Sequence, residues 1–183
     1  DFKHASELVE FVKQFDSKTG GTQFKVFGAC YPEQHPESED VMNDIQGLKA
    51  KVDAGATHLI SQLFFDNEKF YRFLERAKLA GITVPIEAGI MPATNKKSIE
   101  RMVSLTNATL PPKFINMMDR YGDSPEAIRD AGIAYAVDQI VDLVTNGVDG
   151  IHLYTMNNSY IAKRINEAVR SLFTVAPKDF VIK

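Results

Sequence analysis

Three times along the chain an amphipathic run closes on a small residue and a glycine, and a short β-branched apolar run follows. Residues 40–54 lead through Gly55 to 58–65, residues 67–80 through Gly81 to 84–90, and residues 125–146 through Gly147 to 150–154. Each glycine stands where a helix end needs a left-handed residue, a conformation that costs glycine no Cβ clash. In the first run Val41, Ile45, Leu48 and Val52 share one helical face, and Asp40 or Ser38 can cap its start. A fourth apolar run, 24–30, follows a helix over 5–15 and a Gly20-Gly21 turn. The apolar runs read as strands buried on both faces, and helices alternating with such strands predict a parallel sheet with right-handed crossovers.

Further helices are predicted over 97–105, from Pro111-Pro112 to Tyr121, and over 160–172. Ser124 or Asp123 caps the helix that Pro125 opens. No linker divides the chain, so residues 1–183 read as a single domain. Four strands with a helix ahead of the first suit one half of a (β/α)₈ barrel better than a free-standing sheet, whose edges would be left open.

Composition narrows the function classes. The 183 residues are 44% hydrophobic and 25% charged, with a net charge of −3. No apolar stretch reaches the roughly 18–20 residues of a membrane span. No basic stripe invites nucleic acid. The start carries no signal-peptide pattern, and the single Cys30 excludes an internal disulfide, so a reducing cytoplasm is expected. The chain also lacks a dinucleotide G-x-G-x-x-G, a Walker loop, a nucleophile elbow and an HExxH.

Chemistry in parallel α/β folds gathers at the C-terminal strand ends. After the first strand, Tyr31-Pro32-Glu33-Gln34-His35-Pro36-Glu37-Ser38 forms a rigid loop rich in donors and acceptors. It reads as a ligand loop using Tyr31 and His35, as a metal site from Glu33, His35 and Glu37, or as a plain surface loop. Gln62, inside an apolar strand, must bond neighbouring backbone or read a ligand amide. Glu87 is a candidate base or a paired carboxylate, and His152 a satisfied core histidine. Cys30 is expected to be inert, and Met102, Met117 and Met118 to fill core space.

Taken in order, Tyr31 to Glu37, Lys49-Ala50-Lys51-Val52-Asp53-Ala54-Gly55-Ala56, Ile60-Ser61-Gln62-Leu63-Phe64-Phe65-Asp66, Gly89-Ile90-Met91-Pro92 and His152-Leu153-Tyr154-Thr155-Met156-Asn157 resemble the methylenetetrahydrofolate reductase family over essentially the whole chain. The resemblance implies a flavin-containing (β/α)₈ barrel that passes a hydride from NAD(P)H through FAD to 5,10-methylenetetrahydrofolate, yielding 5-methyltetrahydrofolate for methionine synthesis. It implies that this chain is strands five to eight, that a missing N-terminal half-barrel carries the folate-activating acid, and that the isolated chain is inactive. The protein would be a homo-oligomer. The alternative is a non-catalytic half-barrel that pairs through its sheet edges.

By the same resemblance, His4, Ala5, Tyr31, His35, Ser38, Asp44 and Lys51 hold FAD, and Gln62 bonds the pterin of the folate substrate. Ser98, Met102 and Asn158 stand at folate-contacting positions where the family often has glutamine, an aromatic residue and arginine. Lys96 or Lys97 is the expected substitute for that arginine's charge. No catalytic residue and no metal ligand is assigned to this half.

Overall fold

A computed structural model describes residues 2–20, 24–106 and 108–175. Gly21 of the expected turn and the last eight positions of the 1–183 domain lie outside the described residues. In chain order the elements are α1 (Ala5–Thr19), β1 (Phe27–Cys30), α2 (Val41–Asp53), β2 (His58–Ser61), α3 (Asn67–Leu79), β3 (Ile86–Ile90), α4 (Lys96–Thr106), α5 (Pro112–Tyr121), α6 (Pro125–Thr145), β4 (Gly150–Leu153) and α7 (Ser159–Val169), with a 3₁₀ turn over Leu172–Thr174.

Local chemistry explains the boundaries. The Asp40 carboxylate accepts from the Asn43 N–H at 2.8 Å, and the Asp66 carboxylate accepts from the Glu68 N–H at 3.0 Å, so each satisfies an orphan donor of a first helical turn. Ser124 does the same ahead of Pro125, though at a longer 3.4 Å. Past the C-termini, Gly55, Gly81 and Gly147 take φ of +116°, +76° and +74°, as the repeated run-plus-glycine pattern predicts. The strands are shorter than their apolar runs. After Ser61 the chain leaves the ladder, yet Leu63 and Phe65 stay buried because a second set of helices covers them, and Phe64 stays buried in the main core.

The four strands form one parallel sheet in the order β1-β2-β3-β4. With every right-handed crossover stepping the same way, the intervening helices fall on one face of the sheet. That face buries Cys30, Leu59, Ile86, Ala88 and Ile90 against Leu48 of α2, Phe73 of α3, Ile140 of α6 and Ile165 of α7. The strands are therefore not buried on both faces as their composition suggests. The register pairs Phe27 with His58, Ala29 with Ile60, Ile60 with Glu87, and Gly89 with His152, and apart from the buried Gly89 the residues on this second face are exposed or half-buried. There Phe27 stacks on His58 with ring centroids 4.6 Å apart.

His152 is accordingly not a core histidine. It sits half-buried on the open face, its Nδ1 3.9 Å from the Glu87 carboxylate, and this gives Glu87 its partner. A second apolar cluster (Leu63, Phe65, Met91, Ile99, Phe114, Met118 and Ile128) holds α4 and α5 over the C-terminal ends of β2 and β3. Met102 and Met117 pack against it, and Met118 is within it, so the methionines fill core space as expected.

Candidate cofactor and substrate site

The residues after β1 build the largest feature of the C-terminal strand ends. A cavity of about 550 Å³ opens between the start of α1, the 30–38 loop and the inner face of α2. That volume falls inside the ~300–1,000 Å³ usual for small-molecule sites. His4, Ala5, Tyr31, His35, Ser38, Asp44 and Lys51 all line it. These seven are spread over 48 positions of sequence, and the β1–α2 connection folds them around one space.

Lys51 is the most constrained of them. Its stem lies against Gly28, where an added Cβ would stand 2.8 Å from the lysine Cδ, and its Nζ donates to the Ala29 carbonyl at 2.6 Å. Burial lowers the Lys51 pKa, with the Cys30 and Asp44 charges opposing the fall. One of three ammonium protons is used on the protein, so the others remain for an anion in the cavity. Asp44 organises the loop: it accepts from the His35 N–H at 3.2 Å and from the Ser38 hydroxyl at 3.4 Å. The His35 ring meets Tyr31 edge-on at 4.5 Å, and its Nδ1 accepts from the Glu37 N–H at 3.1 Å, which puts the proton of the neutral ring on Nε2. Tyr31 is raised in pKa chiefly by burial, then by the Asp44 and Glu37 charges, so its phenol is a hydrogen-bond donor at neutral pH.

Cys30 is 2% exposed, and burial pushes its thiol up to about 12, against the lowering effect of Lys51. It is packing, not a nucleophile. Glu33 turns away from His35: its carboxylate accepts from the Thr109 N–H at 2.7 Å and from the Thr109 hydroxyl, tying the loop to the α4–α5 connection. Among the described residues no group of three or more His, Cys, Asp or Glu is placed to hold a metal ion.

Gln62 lies just beyond β2, half-buried, in a narrow crevice with Tyr31, Gln34 and Ala108. Its Oε1 accepts from the Leu63 N–H at 2.9 Å, which leaves the amide NH₂ available. The backbone reading holds for the carbonyl oxygen, and the donor end stays open. The other three folate positions do not join it in that crevice. Ser98 is exposed in the first turn of α4, and its backbone N–H donates to Asn95. Met102 packs on the second apolar cluster, and Asn158 caps α7 by accepting from the Ile161 N–H at 3.3 Å. Lys96 faces Asp119 at 3.9 Å rather than standing free.

Two contributions were not foreseen from the sequence. Asn43 and Ser6 also line the cavity, and Thr109 clamps the 31–38 loop. No local pattern marks them, because each becomes adjacent only through packing of α1 on α2 or of the α4–α5 connection on the loop.

The family model described as methylenetetrahydrofolate reductase matches residues 1–170. The chain belongs to the methylenetetrahydrofolate reductase family. It is 36% identical over 162 residues to the 5,10-methylenetetrahydrofolate reductase of Escherichia coli (strain K12), covering 88% of this chain and 53% of that protein. It is 36% identical over 165 residues to methylenetetrahydrofolate reductase (NADH) 1 of Zea mays, covering 85% of this chain and 27% of that protein. The chain thus spans about half the length of the bacterial methylenetetrahydrofolate reductases it matches. Its fold is similar to that of a solved, uncharacterized protein from Clostridium thermocellum that binds two copies of 5-methyl-5,6,7,8-tetrahydrofolic acid, with a TM-score of 0.55 at 17% identity over 81% of this chain and 54% of that one.

Proposed function

We propose that this chain is the cofactor-cradling half of a (β/α)₈ methylenetetrahydrofolate reductase, which reduces 5,10-methylenetetrahydrofolate to 5-methyltetrahydrofolate with NAD(P)H and FAD in the cytoplasm. The observation that carries this reading is the convergence of His4, Ala5, Tyr31, His35, Ser38, Asp44 and Lys51 on one cavity. The donor set suits a flavin dinucleotide. Lys51 offers charge to a diphosphate, Asp44 offers carboxylate lone pairs to hydroxyls, and Tyr31 and His35 offer ring faces and polar tips. When bound, FAD supplies the two-electron relay between nicotinamide and folate. The residues of this chain bind and orient, and Gln62 turns its free amide NH₂ toward the folate pterin. Ser98, Met102 and Asn158 are proposed to meet the rest of the folate when it is bound.

Sequential strand order with helices on one face is also the arrangement of a barrel arc. In this reading the exposed face bearing Phe27, Ile60, Glu87 and His152 looks into the barrel, and a further half-barrel closes against β1 and β4. The test is flavin absorbance and NAD(P)H–menadione oxidoreductase activity of a protein joining this chain to such a half. A colourless, inactive product defeats the proposal. Residues 1–183 alone are expected to bind FAD weakly and to reduce no folate, because the folate-activating acid is placed in the other half.

A second reading, a non-catalytic module that pairs through its edges, draws on the exposed Leu8, Phe11, Phe15, Phe24 and Phe27 around α1 and β1. An apolar surface of that kind marks an association site. Analytical sedimentation separates the cases: a monomer at all concentrations argues against edge pairing and against a homo-oligomer formed by this chain.

A further inference from the structure

We propose that the cleft between the 32–36 loop and α3 is an oxyanion site, distinct from the Lys51 cavity, that takes a multivalent phosphate or carboxylate group. The cleft holds about 450 Å³ and is lined by Glu33, His35, Lys69, Arg72 and Arg76 among others. It lies on the other side of the same loop, and His35 borders both spaces.

Its charge is one-sided. Lys69, Arg72 and Arg76 recur at i, i+3 and i+7, which places them along one face of α3. Among the described residues none of the three is in an ion pair, although the half-buried Lys49 and the exposed Lys113 and Lys163 all have carboxylate partners. Glu33, the carboxylate in the cleft, has both oxygens engaged by Thr109 and, among the described residues, makes no ion pair with the three cations. The tautomer fixed on His35 leaves an Nε2–H on a ring that borders the cleft.

Arg76 supplies the second observation. Its Nη2 donates to the Pro32 carbonyl at 3.0 Å, which pins the guanidinium to the loop, while its Nε is buried with no acceptor. A buried donor without an acceptor is uncommon in folded proteins, and with Nη2 spent on Pro32 it leaves Nη1 as the guanidinium nitrogen not used on the protein. A guanidinium held in place beside a second guanidinium and an ammonium is the arrangement that reads planar, multiply charged oxygen groups, whose geometry matches the arginine fork. A single monovalent anion would leave two of the three cations unanswered.

The test is calorimetric titration of the intact chain at fixed ionic strength with pyrophosphate and, separately, with propane-1,2,3-tricarboxylate. The variant is Lys69→Ala/Arg72→Ala, with Arg76 kept because it holds the loop. Binding of either anion that weakens at least tenfold in the variant supports the site, and the better ligand of the two names the source, phosphate or carboxylate. The charge-reversed Lys69→Glu/Arg72→Glu variant is expected to show no binding while its far-ultraviolet circular dichroism matches the parent. Equal affinity in parent and variant, or no binding of either anion by the parent, overturns the proposal. None of these readouts depends on flavin occupying the neighbouring cavity.

Discussion

The Tyr154 hydroxyl donates to the Ser61 backbone carbonyl at 3.0 Å, joining the end of β4 to the end of β2 across β3. The crossing is possible because the strand between them carries Gly89. An added Cβ there would stand 2.1 Å from the Ser61 oxygen and 2.8 Å from the tyrosine ring. The Ser61 hydroxyl accepts from the Gly89 N–H at 2.8 Å, so three strand ends are stitched beside Gln62. Gly89→Ala should therefore cost about 3 kcal/mol or more, as an overpacked site with no flexible neighbour does, whereas Tyr154→Phe should cost about 1 kcal/mol for one hydrogen bond. Urea unfolding midpoints measure both. An unchanged midpoint for Gly89→Ala would show that the strands do not approach so closely.

Lys51→Met keeps the apolar stem over Gly28 and removes the ammonium. Stability should change by no more than about 1 kcal/mol, because the lost bond to Ala29 is offset by the relief of a partly buried charge. Flavin affinity should fall by about 10- to 100-fold if a charge-assisted contact to diphosphate is lost. Flavin fluorescence titration of the barrel carrying this chain gives the ratio. An unaltered dissociation constant would remove Lys51 from the cofactor site.

Gln62→Ala separates the two halves of the proposed reaction. The folate half-reaction should show a raised KM or a lowered kcat, while NAD(P)H–menadione turnover, which needs no pterin, stays near the parent value. Equal loss in both assays would mean that Gln62 supports the flavin or the fold instead.

Alkaline pH probes the packing around buried thiol and phenol groups. Cys30 holds its proton to about 12 in the folded chain against an ordinary 9.0, and burial takes Tyr135 from 10.0 to about 12. Both groups release protons earlier when unfolded, so stability falls as pH rises from about 9 towards 12. Lys51, lowered by burial, works the other way, because the unfolded chain holds that proton up to 10.5. Tyr31 and Tyr154, also raised by burial, add to the fall, and the net slope is downward. Urea midpoints between pH 8.5 and 10.5 should fall less steeply in Cys30→Ala than in the parent, and parallel slopes would contradict the burial-driven shift.

Much of the candidate site could be read in the chain because its signals are local. The cap at Asp40, the glycines after α2, α3 and α6, and the Tyr31–Ser38 loop all depend on neighbours within a few positions. Gln62 was legible as a polar residue in an apolar run, but not the division of its amide between Leu63 and the crevice. Asn158 shows the limit from the other side: a position expected to face folate uses its carbonyl oxygen to cap α7, a role that any Asn ahead of a helix can take.

The sequence by itself determined the alternation of helices and strands and the helix ends, since periodicity and capping act over one or two turns. Only the tertiary structure decided that the helices cover one face of the sheet, that Glu33 belongs to Thr109 rather than to His35, and that Glu87 meets His152. Those outcomes depend on strand order and crossover direction, which bring together residues far apart in the chain, 76 positions for Glu33 and Thr109 and 93 for Ser61 and Tyr154. No local preference encodes such a meeting. It is settled by which packing buries the shared apolar faces of the helices and the sheet.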